Sequence, residues 1–419
     1  MQIIYSLVIR IYYFAITVSA LLGNEKARFW LLGRKQWAKN LSKALSEYKG
    51  NERYWFHCAS LGEFEQGRSL IERVRKEFPD SFILLTFFSP SGYEIRKNYS
   101  EVNHVSYLPL DTKKNAERFI KILQPSKTIF IKYEFWYNFI DQISKTGKPI
   151  YIASAIFRPQ QIFFKWYGTF FRELLKKISF IFLQDNDSLN LLRETGITKC
   201  SVTGDTRFDR VSKVAIEAKA ILKIEQFVQN KNVIVAGSTW PADEENLLKI
   251  FDSLNDTNLK LVIVPHEVSS RRINELKEKI IHETKQKNIT LYSDTDPDVN
   301  SSIMIVDTIG LLSSAYKYAT LTWVGGGFNK GIHNILEPAA HGKPVLFGPA
   351  FEKFKEAHDL IANHGAFSVT DSEAGNQLIK KMLTDDNYLE VSGKAASEYV
   401  RKNTGATDKI FMHIFREPI

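Results

Sequence analysis

Short apolar runs alternate with longer amphipathic segments through most of this 419-residue chain, and this alternation constrains the fold more than any other feature. Alternating strands and helices fold as parallel sheets with crossover helices. A chain of this length exceeds one ordinary core, so we predict two α/β domains. The predicted strands are 54–58, 82–86, 128–131, 150–153, 180–183 and 201–203 in the first half, and 232–236, 260–264, 290–292, 303–306, 321–324, 345–347 and 367–369 in the second.

The domain boundary is expected near residues 204–210, after the segment SVTGDTRFD. We predict an N-terminal anchor at 1–22, a first domain at 23–206 and a second at 207–419. Two open parallel sheets are expected to face each other across a cleft lined by the carboxyl ends of their strands. Such folds bind their ligands at that edge.

The first 23 residues, MQIIYSLVIRIYYFAITVSALLG, are mainly apolar and carry no charge except Arg10 and the amino terminus. About 20 apolar residues can span a bilayer. Residues 1–50 also carry eight Lys and Arg against two Glu, which is most of the net charge of +9. A signal peptide is disfavoured because the positive charge follows the apolar run and no small-x-small cleavage site is clear. We therefore predict an anchor that spans the membrane or lies in its interface, with the body of the protein in the cytoplasm.

The basic segment that follows the anchor is predicted to attract anionic lipid. It has no aromatic interleaving or helix-turn-helix signature, so we expect no nucleic-acid partner. The two cysteines, Cys58 and Cys200, have neither metal-binding nor redox spacing, which is typical of a reducing compartment.

Glu63 lies in the stretch WFHCASLGEFEQG, directly after a predicted strand. Ser60 and Glu63 have the spacing of a capping box, which would make the glutamate structural. However, Gly62 in a first helical turn costs up to about 1 kcal/mol relative to alanine. A carboxylate at the carboxyl end of a strand is also where a general base for an incoming hydroxyl is expected. Both interpretations remain open from the residues alone.

The stretch LTWVGGGFNKGIHNILEPAAHGKPVLFGP runs from a strand into three glycines, a fourth at Gly331, and a short helix. Glycines after a parallel strand expose backbone N–H groups to a ligand, a geometry that favours phosphate. The spacing is neither a dinucleotide fingerprint nor a Walker loop. Asn334 and Glu337 could form a capping box, but the glutamate is also well placed to bind ribose hydroxyls.

Two further strand ends carry polar residues in the second half. Ser238 and Thr239, in VIVAGSTWPADEEN, could hold phosphate or sugar, or could serve only the N-terminus of the following helix. His266 follows the next strand, and a single histidine there is more often structural. No carboxylate cluster has metal-binding spacing, so we expect no obligatory metal.

Taken together, these motifs resemble the Kdo transferases, which move 3-deoxy-D-manno-octulosonic acid (Kdo) from CMP-Kdo onto a lipid A precursor. The resemblance covers nearly the whole chain. It rests on WFHCASLGEFEQG, TFFSPSGYE, YLPLD, EFWYN, VTGDTRFD, AGSTW, DTIGLLSSAY and GIHNILEPAAHGKPVLFGP, in that order. It implies an α/β protein of GT-B fold, with two Rossmann-like domains, acceptor bound mainly by the first and nucleotide sugar by the second.

For the site residues, the resemblance implies that Glu63 is the catalytic base and that Glu134 is a second acid, in acceptor positioning. The donor-binding set that we predict is Ser238, Thr239, His266, Ile309, Gly310, Gly326, Gly327, Asn334 and Glu337. The chain departs from the family where Pro-Arg-His-Pro is usual, since residues 265–268 read PHEV. Arg271 or Arg272 is the predicted replacement for the missing arginine.

The predicted function is therefore inverting transfer of Kdo from CMP-Kdo to a lipid A precursor, lipid IVA, in lipopolysaccharide biosynthesis. We expect no metal and no cofactor besides the CMP-Kdo substrate, with amides and hydroxyls stabilising the leaving phosphate. The enzyme would sit at the cytoplasmic face of the inner membrane. Two alternatives remain open, namely another GT-B enzyme using a UDP-sugar (a transferase or 2-epimerase) and a membrane-tethered scaffold without catalysis.

Overall fold

The chain divides into two compact units in the computed structural model, which describes residues 2–50, 52–286 and 288–416. The first unit comprises Met1–Arg210 together with Thr404–Ile419, and the second comprises Val211–Asn403. Each unit contains one parallel sheet covered by helices, which confirms the two-domain α/β prediction.

The first unit contains a seven-stranded sheet of order β3-β2-β1-β4-β5-β6-β7, in which all neighbouring strands run parallel. Its strands are β1 (Arg53–Cys58), β2 (Phe82–Phe87), β3 (His104–Tyr107), β4 (Lys127–Ile131), β5 (Ile150–Ala155), β6 (Phe180–Leu183) and β7 (Cys200–Val202). The sequence did not predict β3, a short edge strand in which buried and half-buried residues alternate.

The helices of the first unit cover both faces of its sheet. They are α1 (Gln2–Leu21), α2 (Glu25–Gly33), α3 (Trp37–Ser46), α4 (Leu61–Glu77), α5 (Pro90–Arg96), α6 (Lys113–Leu123), α7 (Tyr137–Lys145), α8 (Thr169–Leu175) and α9 (Asn186–Glu194), with a 3-10 turn at Ile162–Phe164; α10 (Thr206–Ile216) begins in this unit and continues into the second. Successive residues of β1 illustrate why two layers form. Trp55 belongs to one buried cluster while Tyr54 and Phe56 belong to the other, as the period of two in a strand requires.

The second unit has a sheet of order β10-β11-β9-β8-β12-β13-β14, again parallel throughout. Its strands are β8 (Asn232–Thr239), β9 (Leu259–Pro265), β10 (Ile289–Leu291), β11 (Ile303–Ile305), β12 (Leu321–Val324), β13 (Val345–Phe347) and β14 (Ala366–Ser368). Its helices are α11 (Leu222–Val228), α12 (Pro241–Leu254), α13 (Ser270–Glu283), α14 (Leu312–Ala315), α15 (Leu336–Ala340), α16 (Lys355–Ala362), α17 (Ser372–Thr384) and α18 (Asp386–Lys402), with a 3-10 turn at Tyr316–Tyr318.

The last helix, α19 (Ala406–Phe415), packs in the first unit, whereas the sequence placed all of 207–419 in the second. Its residues Ile410, Phe411 and Ile414 are buried in the same cluster as the core of β1 and α4. Asp209 fixes the return of the chain by accepting hydrogen bonds from the backbone N–H groups of residues 405 and 407. The contact that reassigns this helix joins residues almost 200 positions apart, so no local pattern indicates it.

Helix α1 lies against the first unit instead of forming a domain of its own. Tyr5 donates a hydrogen bond of 2.5 Å to Asp111 Oδ2, and Tyr12 packs on the rings of Trp30 and Phe88 at 5.9 and 6.0 Å. The outer side of α1 exposes large apolar residues, and among the described residues it is the helix long and apolar enough to cross a membrane. The segment predicted as an anchor is thus helical over Gln2–Leu21, with one side packed on protein.

Each sheet has a topological switch point, at β1 and β4 in the first unit and at β8 and β12 in the second. At such a point the loops following two adjacent strands diverge to opposite sides and leave a crevice for a ligand. Glu63 and Glu134 follow β1 and β4, while residues 238–239 and 325–327 follow β8 and β12. The fold therefore places the predicted residues of each unit where open α/β sheets bind their ligands.

Candidate functional site

Glu63 is the third residue of α4, in the first turn of the helix that follows the short loop after β1. Its side chain is 7% exposed and accepts a hydrogen bond from the backbone N–H of Ala59. Ser60, the N-cap residue, makes no side-chain bond to the helix. The reciprocal capping box that the sequence allowed is therefore not formed, and only the glutamate contributes to this helix terminus.

Burial and a neighbouring charge raise the pKa of Glu63 to about 7 from its ordinary value of 4.5. Removal from water is the larger cause and the negative charge of Glu134 is the second, while the Ala59 N–H and the charge of Lys132 act in the opposite direction. A carboxylate that titrates near neutral pH is suited to accept a proton from a hydroxyl.

Glu134 is held by Trp136 in the loop that follows β4. The Trp136 indole Nε1 donates to Glu134 Oε2 at 2.8 Å and to His57 Nε2 at 3.0 Å. The two acceptors lie 3.4 Å apart. His57 Nδ1 lies 2.8 Å from Thr86 Oγ1, within hydrogen-bond distance, so both ring nitrogens of this histidine have polar neighbours.

This cluster contains three residues that the sequence did not single out, namely His57, Lys132 and Trp136. The sequence does contain a sign of this cluster, because His57 interrupts the otherwise apolar strand WFHC. The structure shows this histidine to be fully buried. Lys132 has a φ of 72°, an unusual left-handed conformation for a residue other than glycine. Such backbone strain is often found at functional loops.

In the second unit, Thr239 is fully engaged within the protein. Its hydroxyl donates to Glu244 Oε1 at 2.9 Å, and Glu244 forms a buried ion pair with Arg272. Arg272, one of the two predicted replacements for the missing family arginine, is thus already paired with a buried carboxylate. Ser238 is half-buried and has a left-handed φ of 52°, so the strand end is strained beside the switch point.

The glycine run has a packing explanation that the sequence did not reveal. A side chain at Gly325 would collide with the backbone of Ser238, and one at Gly327 with the backbone of Gly348. Gly326 has a φ of 94°, and its N–H donates to Asp243 Oδ2 at 2.8 Å. The three glycines therefore let neighbouring loops meet closely, and the Gly326 amide already has a carboxylate partner.

Asn334 and Glu337 are brought together as the sequence indicated, though not as a capping box. The N-cap of α15 is Ile335, and Asn334 Oδ1 accepts from the backbone N–H of Leu336 at 3.1 Å. Asn334 Nδ2 donates to Glu337 Oε1 at 3.0 Å, and Ser313 Oγ donates to Glu337 Oε2 at 2.6 Å. Both carboxylate oxygens are therefore oriented by neighbouring polar groups.

Ile309 and Gly310 lie in the loop before α14. Ile309 is 83% exposed, and Gly310 has a φ of 91°, a conformation that glycine adopts without strain. Ser313, the partner of Glu337, is in the helix that follows. The structure thus connects the predicted Gly310 segment to the predicted Glu337 segment through a hydroxyl that the sequence did not single out.

His266 is part of an aromatic stack at the carboxyl edge of β9. Its ring lies 4.6 Å from the Trp240 ring and 4.5 Å from the His333 ring, both nearly parallel. Trp240 Nε1 donates to His333 Nε2 at 2.9 Å. Burial, followed by the neighbouring His266, lowers the pKa of His333 below its ordinary value. His266 is therefore one of a stacked group of rings, which offers a flat surface to a ligand.

Comparisons with known proteins agree on one family. Residues 33–210 match the family model described as 3-deoxy-D-manno-octulosonic-acid transferase (kdotransferase). A 3-deoxy-D-manno-octulosonic acid transferase of Rickettsia bellii is 24% identical over 96% of this chain and 95% of its own length. The corresponding proteins of Rickettsia felis and Haemophilus influenzae are 28% and 27% identical over 85% of this chain, and over 77% and 85% of their own lengths.

Solved structures support the fold alone. A UDP-GlcNAc 2-epimerase from Neisseria meningitidis aligns with 87% of this chain and 100% of its own at a TM-score of 0.61 and 15% identity. A glycosyltransferase from Rickettsia africae aligns with 88% of this chain and 100% of its own at a TM-score of 0.56 and 14% identity. The two parallel-sheet units are those of the GT-B architecture.

Proposed function

Because this chain belongs to the Kdo transferase family of glycosyltransferases, we propose that it transfers Kdo from CMP-Kdo to a lipid A precursor, lipid IVA, with inversion of configuration. The observation that carries the proposal is the buried Glu63 carboxylate, whose pKa is raised to about 7 beside a second carboxylate at a switch point. A structural helix cap has no need of that pKa.

Glu63 acts as the general base. It takes the proton of a sugar hydroxyl on the acceptor while that oxygen bonds to the anomeric carbon of Kdo. The bond from this carbon to the phosphate oxygen breaks on the opposite face, and CMP leaves with the electron pair. General-base assistance of this kind contributes about 10² to 10⁴ in rate.

Glu134 supports this step by its charge and by its position. Its negative charge helps keep the pKa of Glu63 high enough to accept a proton near neutral pH. The Trp136 N–H fixes one of its oxygens, and the other is suited to accept a second hydroxyl of the acceptor sugar. We therefore assign it to acceptor positioning.

The donor belongs to the second unit in this proposal. Glu337, already oriented by Ser313 and Asn334, is positioned to accept hydrogen bonds from ribose hydroxyls. Gly310 has no side chain, so the donor can approach the backbone there closely. Ser238, Asn334 and the stack containing His266 provide polar groups around the leaving phosphate. Gly326 and Gly327 shape the loop, because the Gly326 amide is already bonded to Asp243. No step calls for a metal.

The membrane role rests on α1 and on the basic residues that follow it. The exposed apolar side of α1 and residues such as Lys26, Arg28 and Lys35 suit the cytoplasmic surface of an inner membrane, where the anionic lipid acceptor lies. The mass of the product gives the number of Kdo units that are added.

The test uses the purified full chain with CMP-Kdo and a tetraacylated lipid A precursor. We expect the wild-type protein to add Kdo to the acceptor and Glu63→Gln to bind CMP-Kdo normally while transfer falls at least 10²-fold. CMP should protect against thermal unfolding, whereas UDP-GlcNAc should not. Protection by UDP-sugars without protection by CMP would instead favour a UDP-sugar enzyme, and donor binding without any transfer would favour a scaffold.

A further inference from the structure

Helix α7 begins without a capping side chain of its own. Its N-cap residue is Trp136, which makes no side-chain hydrogen bond to the helix, whereas Ser, Thr, Asp and Asn are the usual residues at this position. The first four backbone N–H groups of a helix have no partner within the helix itself. Those of α7 therefore need acceptors from elsewhere in the protein.

Two side chains that are distant in the sequence provide these acceptors. The carboxylate of Asp111 accepts hydrogen bonds from the backbone N–H groups of Asn138 and Phe139, each at 3.2 Å. The Tyr5 hydroxyl of α1 accepts a bond from the Tyr137 N–H at 3.4 Å and donates one of 2.5 Å to Asp111 Oδ2. Asp111 is 1% exposed, so water has little access to replace a lost partner. The start of α7 thus depends on a side chain of the N-terminal helix.

A second contact from the same helix reaches the same loop through aromatic rings. Tyr12 packs on Phe88 with the ring centres 6.0 Å apart, and Phe88 packs on Trp136 at 4.6 Å. Tyr5 also packs on the ring of Tyr137 at 5.5 Å. Tyr5 and Tyr12 are seven residues apart, which is about two helical turns, so they lie on the same face of α1. This face therefore supports both residues at which α7 begins.

These contacts bear on the candidate site because Trp136 holds Glu134. The indole N–H that donates to Glu134 Oε2 at 2.8 Å belongs to the residue directly before α7. A displacement of the first turn of α7 moves this N–H relative to the carboxylate. Since Glu134 is assigned to acceptor positioning, its displacement should weaken acceptor binding and leave the donor site in the second unit unaffected.

We propose that Tyr5 is a positioning residue of the acceptor site, because its hydroxyl orders the first turn of α7 and thereby the Trp136–Glu134 pair. Helix α1 then contributes to the site in addition to the membrane role proposed for its apolar side. The inference rests on the proposed function, to which acceptor positioning by Glu134 belongs. It concerns one hydroxyl group on the side of α1 that faces the protein.

The test compares Tyr5→Phe with Tyr13→Phe in the full chain kept in detergent. Tyr5→Phe keeps the ring that packs on Tyr137 and removes only the hydroxyl. Tyr13 lies on the same helix, and its hydroxyl bonds to none of the described residues, so its variant is a control for the same loss of polarity. Thermal unfolding checks that both variants are folded.

The first measurement is hydrogen exchange, followed by mass spectrometry on peptides that cover residues 135–141. Exchange should be at least three-fold faster in Tyr5→Phe than in the wild type, because the start of α7 loses an acceptor. It should be unchanged in Tyr13→Phe. This measurement reads the contact between α1 and α7 without any reaction.

The second measurement is the kinetics of transfer from CMP-Kdo to the tetraacylated acceptor. Tyr5→Phe should raise the KM for the acceptor about five-fold and change kcat less than two-fold, whereas Tyr13→Phe should match the wild type. CMP-Kdo binding, measured by calorimetry, should be the same in all three proteins.

Three results would overturn the proposal. Exchange at residues 135–141 like that of the wild type would refute the contact, and faster exchange with an unchanged acceptor KM would refute the positioning role. An equal rise in KM for Tyr13→Phe would show a general effect of polarity on α1. A wild-type protein that transfers no Kdo would instead contradict the proposed function, and the exchange rates would still decide whether Tyr5 orders the start of α7.

Discussion

Glu63→Gln should make the protein more stable at alkaline pH while it removes activity. The pKa of Glu63 is about 7 in the folded protein against an ordinary value of 4.5. At 1.36 kcal/mol per pKa unit, this difference corresponds to about 3 kcal/mol. Because the folded state holds the proton more tightly than the unfolded state, ionising Glu63 costs stability as pH rises from 4.5 through 7. Glutamine removes that cost and can still accept the Ala59 N–H bond.

The assay is thermal unfolding of wild type and variant in detergent at pH 5 and pH 8. For a unit of this size 1 kcal/mol shifts the midpoint by roughly 2–4 °C, so the variant should unfold roughly 6–12 °C higher at pH 8 and nearly together with the wild type at pH 5. Glu117→Gln, at a half-exposed position on α6, is the matched control and should show no such pH-dependent gain. A Glu63→Gln protein with no extra stability at pH 8 would refute the raised pKa.

Three other outcomes follow from the site. Trp136→Phe removes the N–H that holds Glu134, so the KM for the acceptor should rise about ten-fold while CMP-Kdo binding stays unchanged; an unchanged acceptor KM in a folded variant would contradict this. Gly325→Ala places a methyl group against the backbone of Ser238 and should weaken CMP-Kdo binding, measured by calorimetry, at least ten-fold. A folded variant that binds CMP-Kdo with wild-type affinity would disprove this. Saturating EDTA should leave the transfer rate unchanged, and a loss restored by Mg²⁺ would show that a metal is required.

The strands were largely predictable because buried parallel strands are continuous apolar runs. For example, the predicted 321–324 and 345–347 coincide with β12 and β13. The edge strand β3 was missed because it is short and half-buried, so its apolar signal is weak. Placement of α19 could not be predicted, since it depends on burial of Phe411 among residues distant in the sequence.

The candidate site was predictable only where a single residue indicated a function by its place after a strand or after the glycine run. Glu63 was selected because it follows a strand, Glu337 because it lies in the helix after the glycine run, and the resemblance supplied the roles of both. The structure gives each of them oriented polar neighbours. The roles of His57 and Trp136 depend on hydrogen bonds across strands, which no spacing in the sequence encodes. The glycine run showed the opposite difficulty, because close packing at Gly325 explains a pattern that the sequence associated with phosphate.

The central claim is that Glu63 takes a proton from a lipid-borne sugar hydroxyl as Kdo is transferred. The most direct measurement is the mass of the glycolipid formed in a single turnover from CMP-Kdo and the tetraacylated acceptor, by wild type and by Glu63→Gln at equal donor occupancy. The account predicts acceptor carrying Kdo with the wild type and unmodified acceptor with the variant. Kdo addition by the variant at a rate near that of the wild type would contradict it.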